Sequence, residues 1–153
     1  MVKKKEKPEK AETKEKKPEE RKIIFTVGKR KTAVARAALK PGKGVVRINS
    51  ILLNFVKNEI LRLKMQEPLI LLGDDAKAFD VDVNVHGGGP MAQAEAARMA
   101  IARGFVEAIG QKAKERFLGY DRYMLVYDPR RAEPHKPPHS SWGGRRYKQR
   151  SKR

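Results

Sequence analysis

Residues 79–86 alternate without a break: Phe79, Val81, Val83 and Val85 are apolar, while Asp80, Asp82, Asn84 and His86 are polar. A period of two is that of a strand with one buried and one wet face. Gly87, Gly88 and Gly89 follow, and from Pro90 to Ile109 the side chains Ala94, Ala97, Ile101, Phe105 and Ala108 fall on one helical stripe. Proline at the first helical position and Gly110 past the end mark its limits. A half-buried strand feeding at once into a long, alanine-rich helix leaves few options, because the helix must fold back and cover the apolar face of a sheet at close range.

The rest of the chain is read around that unit. Ile23 to Val27 is a β-rich run that continues through Gly28 to Thr32 into residues 33–39, whose small alanines suggest close packing by a helix. The turn Lys40 to Gly44 then leads to Val45–Asn49, and the two flanking strands are expected to pair as a hairpin. Residues 58–66 predict a short helix with Ile60, Leu61, Leu63 and Met65 as its apolar side, closed by Pro68. Leu69 to Leu72 is apolar but ambiguous in type. A second helical piece is expected over 111–118, and the apolar run Tyr123 to Tyr127 predicts an edge strand. The globular body is thus placed at 23–127.

Charge sets the partner. The 153 residues include 36 Lys and Arg against 18 Asp and Glu, a net +18, well past the magnitude of roughly 2–8 that keeps a small domain soluble. Such an excess calls for a polyanion. There is no cysteine, which rules out disulfides and thiolate metal sites and fits a reducing compartment. No apolar run approaches the roughly 18–20 residues that span a bilayer, and the charged start is not followed by a signal-peptide core, so a cytosolic protein without membrane association is expected.

Residues 1–22, almost entirely Lys, Glu, Pro, Ala and Thr, read as a flexible extension. Residues 128–153 read as a basic tail, with nine Lys or Arg and the single acid Glu133 after Asp128, and with Trp142 and Tyr147 as its large apolar side chains. Neither end buries enough apolar surface to offset its ordering entropy, so both are expected to be disordered in isolation. Prolines 129, 134, 137 and 138 favour extended backbone. Sixteen residues from Pro138 would reach about 50 Å. Aromatics among cations suit structured RNA, whose bases can be stacked upon.

Within the body, Lys29, Arg30 and Lys31 beside Gly28 read as a phosphate-contacting corner, since three adjacent cations repel one another without an anion. Gly87, Gly88 and Gly89 read first as a tight strand-to-helix turn and second as an RNA-phosphate contact at a helix N-terminus. They lack the Lys-Ser/Thr of a phosphate-binding loop and the spacing of a dinucleotide fingerprint. His135 and His139 sit among prolines, His86 lies on a polar strand face, and Asp80 and Asp82 share that face; none makes a convincing metal or catalytic set. No cofactor is expected.

Three segments, Phe25-Thr-Val-Gly-Lys-Arg-Lys-Thr-Ala-Val-Ala-Arg36, Val85-His-Gly-Gly-Gly-Pro90 with the helix start Gln93 to Arg98 and Gly104, and Tyr127-Asp-Pro-Arg-Arg-Ala-Glu-Pro-His-Lys136, together closely resemble the family of the ninth protein of the small ribosomal subunit. The likeness spans residues 23–153 and is to the archaeal and eukaryotic branch, chiefly through the Asp-Pro-Arg-Arg-x-Glu-Pro segment. It implies an α+β, two-layer fold of the ribosomal protein S5 domain 2-like kind: a sheet of about four strands, helices on one face, and a left-handed strand–helix–strand crossover. It further implies a non-enzymatic protein of the ribosome whose body binds the 3′ head domain of small-subunit ribosomal RNA among neighbouring head proteins. The residues carried over to that contact are Lys29, Arg30, Lys31, Arg36, Gly87, Gly88, Gly89, Arg130, Arg131, Lys136, Arg145 and Arg146. The tail is implied to touch the anticodon stem-loop of peptidyl-site tRNA through Arg150, Lys152 and Arg153. The 1–22 extension and Trp142 inherit no role. The competing reading is a small phosphotransferase, since some metabolite kinases share this topology; Met91-Ala92-Gln93 after the glycines lacks the serine such a loop needs.

Overall fold

The computed structural model describes residues 23–132 and residue 134. Strand β1 (Ile24–Arg30) turns at Lys31 and Thr32 into β2 (Ala33–Pro41), and the two pair antiparallel. Lys31 takes a left-handed φ of 52° to close this two-residue connection. Next come the short strands β3 (Val46–Ile48) and β4 (Ile51–Leu52), then β5 (Phe79–His86), in a five-stranded sheet of order β1-β2-β5-β3-β4.

The hairpin expected across 40–44 does not form. β5 lies between β2 and β3, antiparallel to the first and parallel to the second. The polar groups of the 40–45 connection explain this, since they bond to the start of β5 instead of to one another. Asp80 accepts hydrogen bonds from the backbone N–H groups of Lys43 and Val45 at 2.8 and 2.9 Å, and Gly42 N–H donates to the Ala78 carbonyl at 2.8 Å. The apolar inner face of β5, Val81, Val83 and Val85, thereby takes the central, best-covered position. β3 instead forms a hairpin with β4, through Asn49 and Ser50 at φ 48° and 69°. Asn49 also replaces a strand partner, its side-chain amide bonding both the N–H and the carbonyl of Val85. β4 is what raises the expected four strands to five.

Helix α1 (Glu59–Leu72) links β3–β4 to β5 and is capped by Asn58, whose Oδ1 accepts from Ile60 N–H at 3.0 Å. It passes straight through Pro68, expected from the sequence to end it, and takes up Leu69 to Leu72. Proline deletes one backbone bond there, but Met65, Pro68 and Leu72 lie on the face that packs against the next helix, and their burial outweighs the loss. Ile60 and Leu63, expected in the core, are exposed instead.

Helix α2 (Pro90–Ile109) has the expected limits and Gly110, at φ 91°, ends it; α3 (Gln111–Tyr120) follows. The expected edge strand over 123–127 is absent. Arg122–Met124 is a single 3-10 turn started by Asp121, whose carboxylate accepts from Tyr123 N–H at 2.8 Å, and it plugs Met124 fully into the core.

α2 is the keystone of the helical layer. Thr26, Gly28, Ala33, Ala35, Ala37 and Leu39 point up at it from β1 and β2, and the small residues let it settle close. Thr26 Oγ1 donates to the Ala100 carbonyl at 2.8 Å, and Arg103 Nη1 donates to the Val27 carbonyl at 2.8 Å. Among the described residues no helix covers the opposite face of the sheet, and Phe25 stands on it 74% exposed.

Candidate functional site

Three segments remote in sequence meet at one end of the sheet: the β1–β2 turn, the β5–α2 turn and residues 128–131. Gly87 and Gly88 take φ values of 76° and 64°, and a Cβ on them would lie 2.7 Å from the Thr32 carbonyl oxygen and 3.0 Å from the Ala33 nitrogen. Glycine is required there both for its dihedrals and because the two turns are stacked. α2 then starts at Gly89 with no side-chain cap, while Gln93 Nε2 donates to the Gly87 carbonyl at 3.0 Å. The positive end of the helix dipole is thus presented at this corner.

Asp128 draws the third segment in. It is buried, accepts from the backbone N–H of Arg130 at 3.0 Å, and pairs with the Arg130 and Arg30 guanidinium groups, each at 2.6 Å. Arg30 also pairs with Glu95 of α2, and its side chain is only 15% exposed. Arg131 donates to the Lys31 carbonyl and lies 5.4 Å from the centroid of the Tyr127 ring. The packed body therefore continues past residue 127.

This geometry divides the candidates. Arg30 is occupied by Glu95 and Asp128 and serves the fold, whereas Lys29, Lys31 and Arg131 are exposed and, among the described residues, form no ion pair. Arg130 binds Asp128 but keeps most of its surface in solvent. Arg36 is not at the corner: it stands on the helix-free face of the sheet, between Val27 of β1 and Asn84 of β5. His86 is exposed on that face, and Asp82 is shared by Lys40 at 3.2 Å and Arg47 at 3.9 Å. Lys136, Arg145, Arg146, Arg150, Lys152, Arg153, Trp142 and the 1–22 extension lie outside the described residues. Glu95 and Asp128, the acids that organise the corner, were not among the residues expected from the sequence; a lone Asp directly before Pro-Arg-Arg was the available signal.

The hydrogen bonds from the Arg130 side chain, then the one from its backbone N–H, hold the Asp128 carboxyl down at about 2, with the charges of Arg130 and Arg30 adding to them. An unfolded Asp titrates near 3.9, so the contribution of Asp128 to stability is complete above about pH 5 and drains away as the pH falls from 4 towards 2. Asp128→Asn is expected to lower the melting temperature at neutral pH, with the gap from wild type closing towards pH 2. Thermal scans of both proteins from pH 2 to 7 check this.

A model of the family described as Ribosomal protein S9/S16 matches residues 28–153, which takes in all three segments of the corner. The chain belongs to this family. It is 52% identical over 123 residues to the small ribosomal subunit protein uS9 of Desulfurococcus amylolyticus, covering 80% of this chain and 84% of that protein. To the uS9 proteins of Methanococcus maripaludis and Methanococcus vannielii it is 47% identical over 133 residues, covering 86% of this chain and 99% of theirs. A protein of this family is a structural constituent of the small subunit of the cytoplasmic ribosome and not an enzyme, which disposes of the phosphotransferase reading. No helix among the described residues is long and apolar enough to cross a membrane.

Proposed function

We propose that the body binds the 3′ head domain of small-subunit ribosomal RNA through the corner, and that the end of the chain touches the anticodon stem-loop of peptidyl-site tRNA. The observation that carries the first part is the imbalance at the corner. Glu95 and Asp128 are already neutralised by Arg30 and Arg130, so Lys31 and Arg131 at the corner, and Lys29 at the same end of the sheet on the face away from α2, have no acid to answer them among the described residues, next to the uncapped start of α2. Cations and helix N–H groups together suit phosphate. The exposed part of Arg130, Gly87 to Gly89, and then Lys136, Arg145 and Arg146 extend the contact, and Arg36 adds a further cation on the sheet face away from α2. Exposed Ile60, Leu63 and Ile70 on α1 offer an apolar stripe to a neighbouring head protein.

Support for the second part is chemical. The family match includes the last nine residues, six of which are Lys or Arg with no acid among them. Arg150, Lys152 and Arg153 end the run, and an Arg guanidinium can grip phosphate bidentately. One experiment with two arms tests both parts in reconstituted subunits. Lys29→Ala with Lys31→Ala should flatten the salt dependence of RNA binding by roughly 0.7–0.9 log units for each phosphate that is no longer neutralised. Deleting 145–153 should weaken peptidyl-site tRNA by roughly 1–3 kcal/mol while leaving assembly intact. An unchanged salt slope puts the corner in solvent, and equal tRNA dissociation rates move the tail's role to RNA folding.

A further inference from the structure

We propose that the helix-free face of the sheet binds single-stranded RNA, with Phe25 stacking an unpaired base and Arg36 and Arg47 holding its phosphates. This rests on the reading that the body binds ribosomal RNA, and it adds a face and a mode of recognition that the corner does not supply.

Strand register lays out the surface. Phe25 lies opposite Ala38, Ala38 opposite Asp82, and Asp82 opposite Arg47, so these four form one row across β1, β2, β5 and β3. The next row is Val27, Arg36 and Asn84. Ala38 is the low point of its row, and the trough above it, of about 780 Å³, is walled by Phe25 and Val27 on one side and by Arg47 and Ser50 on the other. From β1 to β3 is three strand spacings, about 14 Å, which suits a nucleotide with its neighbouring phosphates.

Phe25 needs an occupant. Phe105 and Phe117 are fully buried in the same body, and Phe55, 72% exposed, lies in a 3-10 turn outside the trough, whereas Phe25 stands 74% exposed on a strand that walls it. Its surroundings select the occupant by charge. Arg36 and Arg47 line the trough with one acid, Asp82, while Lys40 pairs with Asp82 and the other carboxylate of this face, Asp80, lies outside the trough and bonds the backbone N–H groups of Lys43 and Val45. An apolar protein segment laid on Phe25 would bury the Arg36 guanidinium with no acid to pair it among the described residues, and Arg47 with only a share of Asp82, at a heavy desolvation cost. RNA answers both features, because a base offers the ring a stacking face and the phosphates neutralise the arginines. Asn84 and Asp82 supply a side-chain amide and a carboxylate for base edges.

The test uses the full-length protein and a transcript of the 3′ head domain of small-subunit ribosomal RNA. Phe25→Ala should bind about tenfold more weakly with an unchanged melting temperature, and Phe25→Tyr should bind like wild type, because only a ring is required. Arg36→Gln with Arg47→Gln should lower the salt slope by roughly 1.5. A benzophenone amino acid at position 25 in assembled subunits should cross-link to RNA. Equal affinities of wild type and Phe25→Ala, or cross-links only to a neighbouring protein or to this chain's own terminal extensions, overturn the inference and leave the corner untouched. Failure of the wild type to bind the transcript overturns the reading beneath it, and this inference with it.

Discussion

Arg98→Ala is expected to destabilise the body by roughly 3 kcal/mol, the lower end of what breaking a buried ion pair costs. Arg98 is 5% exposed in the middle of α2, where its Nε faces Glu67 of α1 and its Nη1 donates to Asp121 at 2.7 Å. One guanidinium thus ties α2 to α1 and to the residue that caps the 3-10 turn holding Met124 in the core. Its removal leaves two carboxylates facing each other across the gap. The lower end of the range applies because Glu67 keeps Lys64 at 3.1 Å and Asp121 is 31% exposed, so both retain some solvation. Urea unfolding at pH 7 measures the loss. Glu67→Gln in the Arg98→Ala background should restore part of the stability, because it removes one of the two facing carboxylates. No recovery in the double variant would mean packing, and not charge, dominates at Arg98.

The parts of this architecture legible in sequence are those that local chemistry decides. The alternation over 79–86 and the Pro90 and Gly110 punctuation set β5 and α2 to the residue, because period and cap residues act over a few positions. The alanines of β2 announced the close helix above them. What escaped depends on partners far along the chain. Nothing within 40–49 says that β5 will slip between β2 and β3; that follows from Asp80, more than thirty residues on, claiming the N–H groups of Lys43 and Val45. Pro68 reads as a stop until the α2 surface beneath Met65 and Leu72 is known. Arg30 looked the equal of Lys29 and Lys31 because three cations in a row carry no sign of which one points inward. Its partners, Glu95 and Asp128, are supplied by another helix and by the far end of the body.

The same close approach of α2 sets the second large effect. Gly28→Ala is expected to cost roughly 3 kcal/mol, at the upper end for overpacking. A Cβ at this position would lie 2.1 Å from the carbonyl oxygen of Ala96 and 2.7 Å from the nitrogen of Ala100. Both are backbone atoms inside a helix, so no rotamer change relieves the clash and α2 must lift from β1 as a unit. Lifting it stretches the bond from Thr26 Oγ1 to the Ala100 carbonyl and the one from Arg103 to the Val27 carbonyl. Gly104 provides the control on the same helix. A Cβ there would meet Leu39 Cδ1 at 2.2 Å, equally tight in distance but against the end of a side chain that can turn aside. Gly104→Ala should therefore cost less, about 1–2 kcal/mol. Because β1 carries Lys29 and leads into Lys31, shifting it should also weaken RNA binding in Gly28→Ala at temperatures where the protein remains folded, and leave Gly104→Ala near wild type. Urea midpoints for the two variants, read beside their RNA affinities, separate the two positions. Equal midpoints would show that the spacing of α2 from β1 is not what limits residue 28.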